Sequence, residues 1–423
     1  MKSMTVSMIA ISLLPLTAWA AEGLQVGDEI VIMPAGDGTG IRGTPHLAHG
    51  GNGYLAVWRE GWHGEGGVAR IYAARLDEAG KALDPKGIEI APSKDGMQEL
   101  PRIAFGGGVF LVVWQDDRNG KDCDVLGARI APDGKVLDAQ PIAIGAGPRT
   151  QCAPDVTSNG QEFLVAWQSV DGAENLFHVE TARVGADGRV SAPARIQSPW
   201  TKAGASPRVA WDGTNYRLVF LSQSLLSVRL KPDGSLPQKE QFTTLRGNLG
   251  AGIGFWHSIT ASPDKGLLAV FPRSQPDYWG WGGPGAVICC LVGMDNKVDS
   301  TIPKEDYPQK KLPNWLDFGR DRKEGSPWPY GQCDVAWDGR QFVAVWQRQH
   351  IQKTVSFGNC DLIASRVDGW KPLDPDGVSV AASELEEKSP ALASDGNGKL
   401  LCGYERHDGD GNISIVARLL STR

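Results

Sequence analysis

The sequence predicts an all-β fold: a seven-bladed β-propeller of four-stranded antiparallel blades, closed by an N-terminal strand pairing onto the last blade. Three observations predict it. A block of strand-turn-strand character recurs along the chain, no segment carries a convincing helical period, and the final block lacks a fourth strand whose pattern is found at the front.

The copies read "PHLAHGGNGYLAVW" from Pro45, "PRIAFGGGVFLVVW" from Pro101, "PDVTSNGQEFLVAW" from Pro154 and "PRVAWDGTNYRLVF" from Pro207. Weaker copies are "SITASPDKGLLAVF" from Ser258, "CDVAWDGRQFVAVW" from Cys333 and "PALASDGNGKLLCGY" from Pro390. Each continues through a loop of variable length into a strand such as "YAAR", "LGAR" or "IASR", usually an Asp-Gly turn, and a short closing strand such as "IEIA" or "PIAIG". Period-two alternation, β-branched and aromatic enrichment and Gly/Asp/Asn turns mark strands and turns. A four-stranded unit of about 50 residues, repeated, is the pattern of a propeller. The last unit stops at "ISIVARLLSTR", while "LQVGDEIVIMPAG" from Leu24 has the pattern of a closing strand. Pairing the two would leave no open edge between first and last blades.

Residues 1–20, "MKSMTVSMIAISLLPLTAWA", read as a signal peptide: Lys2, an apolar stretch from Met8 to Leu16, and Ala18-Trp19-Ala20 as a cleavage site. Residues 21–423 then form one propeller, with an insertion-rich blade five at 258–332. No later apolar run approaches the roughly 20 residues of a membrane helix. The expectation is a secreted or periplasmic protein without a membrane span. A net charge of -6 with both signs interspersed provides no basic stripe, so nucleic acid is not an expected partner.

The pattern P-x-[VI]-A-x-x-G-x-x-[FY]-L-V-x-W, followed by A-R, resembles the blade repeat of secreted bacterial β-propeller proteins. The resemblance covers nearly all of the mature chain. It implies architecture and little about activity, because such blades carry binding proteins and enzymes alike.

The repeats act as an internal control, since a feature common to all blades serves packing. Trp58, Trp114, Trp167, Phe220, Phe271, Trp346 and Tyr404 are such a series, expected between sheets. Arg75, Arg129, Arg183, Arg229, Arg366 and Arg418 recur likewise and predict a shared inter-strand hydrogen bond. Strand order puts the A-B and C-D turns on a uniform face. The B-C and D-A connections lie on a variable face, where function is expected.

On that face the acidic loop Asp116, Asp117, Asn119, Asp122 and Asp124 is unlike its counterparts, but lacks the glycine and final glutamate of an EF-hand. Asp408, Asp410 and Asn412 offer a better oxygen-ligand spacing for calcium; no other cofactor is expected. Of the chain's 15 tryptophans, several fall in these loops, where folding does not require them. Trp62, Trp256, Tyr278, Trp279, Trp281, Trp315 and Trp328 are therefore candidate ligand platforms, unless the long loops use them as local cores. Arg59, Arg118, Arg273, Arg348, Arg406 and His407 are candidate ligand contacts beside them, with His63, His257 and His350. Glu60, Asp117, Asp317, Asp321, Glu324 and Glu405 are the carboxylates that could converge on the central funnel as an acid/base pair. No G-x-S-x-G elbow or S-x-D-x-G-x-T-W turn is present.

Four of the seven cysteines lie at strand starts on the variable face, predicting bridges Cys123 to Cys152 and Cys333 to Cys360. Cys289 and Cys290 are adjacent on a strand and point to opposite faces. The function expected first is a non-catalytic binding propeller recognising a polar ligand, glycan or protein. A glycan-active hydrolase or lyase is the alternative, and a structural subunit of a surface or periplasmic assembly the third reading. Two unpaired carboxylates converging at the channel mouth would favour the enzyme.

Overall fold

The protein is described by a computed structural model covering residues 23–36, 41–61, 67–171, 176–197, 204–222, 224–237, 242–246, 257–273, 286–298, 316–318, 332–351, 357–369, 371–408 and 411–422. Every strand among them belongs to one of seven antiparallel sheets, each a blade. Blade one is Ile41–His49, Tyr54–Gly61, Ala69–Leu76 and Ile88–Glu89, and blade two is Gln98–Gly106, Val109–Asp116, Asp124–Ile130 and Ile142–Gly145. We letter such strands A to D from the channel outward. Blade six departs slightly: its strand C, Phe357–Asp368, pairs with both Lys371–Pro372 and Val378–Ala381. Blade five finds its strand D in Leu316–Phe318, inside a stretch that reads as a connection. Among the described residues no helix is long and apolar enough to cross a membrane.

The ring closes as the sequence predicts. Gln25–Met33 pairs antiparallel with Ile413–Ser421 as the outermost strand of blade seven, with Gln25 opposite Ser421 and Met33 opposite Ile415.

Strand B is the most apolar strand because neighbouring blades cover both its faces; Leu55 to Trp58 and Leu111 to Trp114 are wholly buried. The core is distributed accordingly, in apolar clusters that each join two adjacent blades. One unites Leu55, Val57 and Ile71 of blade one with Val112 and Trp114 of blade two. The aromatic series lies within these clusters, every member buried. The recurrent arginines do hold strands together. Arg75, Arg129 and Arg366 each fork onto Asp84, Asp138 and Asp374 of the following turn, and each aspartate also accepts its arginine's backbone N–H at 2.7–2.9 Å. The other three differ: Arg183 pairs with Glu162, Arg229 reaches the Met294 carbonyl, and Arg418 donates to the Tyr404 hydroxyl.

One recurrent device was not legible beforehand. At the start of strand A, just before the proline, Thr44, Leu100, Ala153, Ser206 and Ser389 are held at φ between 48 and 54°. The register slips there in each of these blades. Left-handed non-glycine residues are sparse because Cβ crowds the backbone, at a cost of about 1–3 kcal/mol each. Their repetition in five blades makes them a property of the ring. The bulge delivers each innermost strand to the channel.

The expected bridge Cys333 to Cys360 is corrected by this register. Cys333 is on strand A opposite Trp346, and Cys360 is on strand C opposite Gln349, so the whole of strand B lies between them. Two strand spacings of about 4.8 Å already exceed the reach of a disulfide. Their sulfurs are engaged apart, Cys333 donating to the Val270 carbonyl at 3.6 Å and Cys360 accepting from Gln347 Nε2 at 3.0 Å.

Candidate functional site

The variable-face mouth of the channel is built from two repeat positions: the bulge residue on strand A and the residue following the core aromatic on strand B. In three junctions the strand-B side chain accepts the N–H of the next blade's bulge residue. Gln115 Oε1 takes Ala153 N at 3.1 Å, Gln168 Oε1 takes Ser206 N at 3.2 Å, and Glu405 Oε1 takes Thr44 N at 2.7 Å. These bonds clamp blade to blade and satisfy a backbone donor that the bulge frees.

Glu405 is therefore a clamp rather than a free acid. It is buried, and its second oxygen meets His407 Nε2 at 2.9 Å. Burial pushes its carboxyl up, but bonds from His407, Thr44 N and Ser389 outweigh that and hold it below the usual range. The other carboxylates expected in the funnel are also committed. Glu60 takes Arg42 Nε and Nη2 at 2.9 and 2.8 Å and caps the Trp58 indole at 3.3 Å. Asp116 does the same for Trp114, at 2.9 Å, while pairing with Arg118. Asp117 accepts the N–H of Met97. The acidic loop that follows is tied by Asn119, whose amide bridges Asp122 and Asp124 at 2.7 and 3.2 Å.

Glu60, Asp117 and Glu405, the carboxylates expected as candidates at the funnel, are thus each hydrogen-bonded by protein donors. Among the basic candidates, Arg118 is spent on Asp116, Arg348 lies 3.3 Å from Asp361, and Arg406 pairs with Glu29 of the closing strand.

Arg59 is the exception. It occupies the position of Gln115, Gln168 and Glu405, yet a guanidinium has no lone pair to offer a bulge N–H. It is 7% exposed, its Nη1 is buried without a partner, and no hydrogen bond or ion pair of its guanidinium is found among the described residues. Burial lowers its pKa, which the more distant Glu99 and Glu405 partly restore. Gly43 makes room for the pair: a Cβ there would stand 3.1 Å from Glu405 Oε1 and 3.6 Å from Arg59 Nη2.

Below the mouth, the innermost strands enclose a cavity of about 440 Å³. Its wall includes Arg102, Asp155, Arg208 and Asp334, four residues at one repeat position that sequence reasoning passed over. A signal was present. The residue after the strand-A proline is charged in some blades and small or histidine in others, while its flanks keep the pattern. His257, expected on the variable face, lines the same cavity.

Several expectations fall outside the described residues: Trp62, Trp256, Tyr278, Trp279, Trp281, Trp315, Trp328, Asp321, Glu324, His63 and Asp410. For Asp317, Arg273 and His350 the structure describes the backbone only, in strands of blades five and six. Asp408 and Asn412 are joined by a backbone bond, Asp408 N to Asn412 O at 3.2 Å. Among the described residues no group of three or more His, Cys, Asp or Glu side chains could hold a metal ion. Cys123 and Cys152 are neighbours across blades two and three, with Gln151 N donating to the Cys123 carbonyl at 2.7 Å, and both are free thiols.

No family model matches the chain, and no curated protein matches it. Solved structures do. The hemagglutinin-neuraminidase ectodomain of parainfluenza virus 5 is 9% identical over 95% of this chain and 87% of that one, with a TM-score of 0.51. The sialidase of Trypanosoma rangeli is 8% identical over 94% of this chain, with a TM-score of 0.50, and the match spans only 60% of the sialidase. A protein of unknown function from Dyadobacter fermentans is 10% identical over 95% of this chain and all of its own, with a TM-score of 0.46. At such identities the likeness is one of fold, and the chain is a seven-bladed β-propeller.

Proposed function

We propose that this protein is a binding propeller that captures a polar ligand, a glycan in the first instance, at the variable-face mouth of its channel. The observation that supports it is the division of labour among charged groups. The described candidate acids are held by protein donors, whereas Arg59 is a buried cation whose Nη1 has no hydrogen-bond partner among the described residues, at a position where other blades place an acceptor. Most glycoside hydrolases, sialidases with a tyrosine nucleophile excepted, use two carboxyls free to exchange protons or attack. Capture requires donors held ready, which a guanidinium provides. The glycan class is placed first because two of the solved structures similar at a TM-score of 0.50 or above are named as a sialidase and a hemagglutinin-neuraminidase.

The test uses a variant that repairs the repeat. Arg59→Gln installs the residue that blades two and three carry, so it should keep or raise the melting temperature by accepting the Leu100 N–H. Glycan-array and pull-down binding should fall by tenfold or more, since an anchoring arginine is worth about 2 kcal/mol. Trp279→Ala with Trp281→Ala, beside it, tests the aromatic loop. Binding unchanged in Arg59→Gln would overturn the reading, and array glycans cleaved by the wild type would replace it with the hydrolase.

A further inference from the structure

The mouth holds a second side chain that the fold does not use. Thr44 is the bulge residue of blade one, at φ 52°, where the other blades with this bulge carry Leu100, Ala153, Ser206 and Ser389. Of these five residues Thr44 alone is β-branched, and a branched Cβ crowds the left-handed region further. Its backbone N–H is spent on Glu405 Oε1 at 2.7 Å, but its Oγ1 is buried with no hydrogen-bond partner among the described residues. Leucine and alanine at the same position show that the bulge itself needs no hydroxyl. A strained backbone and an unsatisfied hydroxyl are both costs, of the kind that persists where a ligand supplies the missing partner.

Thr44 and Arg59 share one corner of the mouth. In the register of blade one Gly43 stands opposite Arg59, and Thr44 is the next residue along the innermost strand. Because Gly43 has no side chain, the guanidinium can lie over it; a Cβ there would stand 3.6 Å from Arg59 Nη2. Arg59 Nη1 is likewise buried without a partner among the described residues. Thr44 and Leu100 both line the cavity of about 440 Å³ below, a volume in the range of small-ligand sites.

The charges around this corner decide what kind of ligand it takes. Burial lowers the Arg59 pKa, and two carboxylates act against that: Glu405, and Glu99, which accepts Gln115 Nε2 at 3.2 Å. Along the cavity wall Asp155 stands 3.5 Å from Arg102 and acts on Arg208 as well, while Asp334 adds a further carboxylate. Burial, and then the arginines, lower His46 and His257, so both rings are neutral at physiological pH. Three guanidiniums therefore stand among four carboxylates over the mouth and the cavity. An incoming carboxylate finds no surplus positive charge to offset the loss of its own hydration. What Arg59 lacks is an acceptor, because the groups that balance its charge are too distant to take its hydrogens. A sugar hydroxyl supplies an acceptor without charge, and the Thr44 hydroxyl can donate to or accept from the hydroxyl beside it.

We infer, taking the mouth as the binding site proposed above, that the sugar unit it holds is uncharged, with two neighbouring hydroxyls bound by Arg59 Nη1 and Thr44 Oγ1.

The test is an array on which each neutral oligosaccharide is printed beside a counterpart carrying a carboxylate, probed with the wild-type chain, Arg59→Gln, Thr44→Val and Thr44→Ser. Neutral members should be bound at least as strongly as their acidic counterparts. Raising sodium chloride from about 0.05 to about 0.5 M should change that binding less than about twofold, because no ion pair is there to be screened. Thr44→Val keeps the β-branch and removes the hydroxyl alone. It should weaken neutral glycans roughly threefold to tenfold, as the loss of one neutral hydrogen bond does, without lowering the melting temperature. Thr44→Ser should restore binding. A preference for the acidic members that Arg59→Gln abolishes would overturn the uncharged ligand and leave the mouth reading standing. Neutral glycans bound as well by Thr44→Val as by the wild type, or lost only together with a lowered melting temperature, would overturn the Thr44 contact in the same way. Binding that survives Arg59→Gln, or no member bound at all, would overturn both readings.

Discussion

Deleting Leu24 to Pro34 removes the strand that closes the ring, and the structure sets the size of the effect. Leu24, Ile32 and Met33 are 5, 2 and 6% exposed, packed against blades six, seven and one. Burying such a side chain contributes about 1.5–3 kcal/mol, so the three together contribute about 4.5–9 kcal/mol, an upper bound because unfolded chains are not fully extended. Glu29 leaves too, and with it the partner of the Tyr404 hydroxyl at 2.9 Å and of Arg406. That sum is comparable to the 5–15 kcal/mol by which whole domains are stable. The deletion also bares the outer edge of Ile413–Ser421, a strand ready to pair with another chain. Light scattering after size exclusion should show oligomers, and calorimetry a lowered melting temperature. Ile32→Ala, a milder change, should cost about 2–5 kcal/mol in urea unfolding. A deletion variant that stays monomeric with an unchanged melting temperature would refute the closure argument.

Further outcomes rest on particular contacts. The neighbouring thiols Cys123 and Cys152 should oxidise to a bridge on export, found by non-reducing peptide mapping of periplasmically expressed protein, with Cys333 and Cys360 unbridged; free thiols persisting at the first pair would sink that bridge, and a link between the second would contradict the register of blade six. If reduced, Cys123 and Cys152 should alkylate slowly at neutral pH, because burial pushes both thiols to about 11. Asp84→Asn should destabilise by about 1.5–3 kcal/mol at pH 7. The Arg75 hydrogen bond holds the Asp84 pKa below its ordinary value, so this stability is complete above the unfolded pKa of about 3.9 and is lost as pH falls through the folded value. The gap between Asp84→Asn and wild type should therefore shrink below about pH 4, and a gap constant to pH 2 would count against the ion pair. Glu405→Ala should lower the urea midpoint by leaving Thr44 N and His407 without their acceptor, and Glu405→Gln should recover part of the loss. Wild-type stability with abolished glycan binding would refute its role as a clamp and place Glu405 among the residues that act on the ligand.

The amino-acid sequence by itself determined the blades, their number and the closing strand, because a period of two and a core aromatic repeated at fixed offset leave few ways to bury strand B. It also sorted recurrent residues from singular ones, so Arg75, Arg129 and Arg366 were recognisable as inter-strand bonds before their aspartates were known. Only the tertiary structure decided which singular residues are spent and which are free. Glu405 and Arg59 look equally suggestive in the chain, yet one accepts a backbone N–H from a blade 361 residues away in sequence and the other keeps Nη1 without a hydrogen-bond partner among the described residues. The channel wall was hidden for the same reason. Arg102, Asp155, Arg208 and Asp334 are scattered over more than half of the chain, and only closing the ring brings side chains from separate blades into one low-dielectric space.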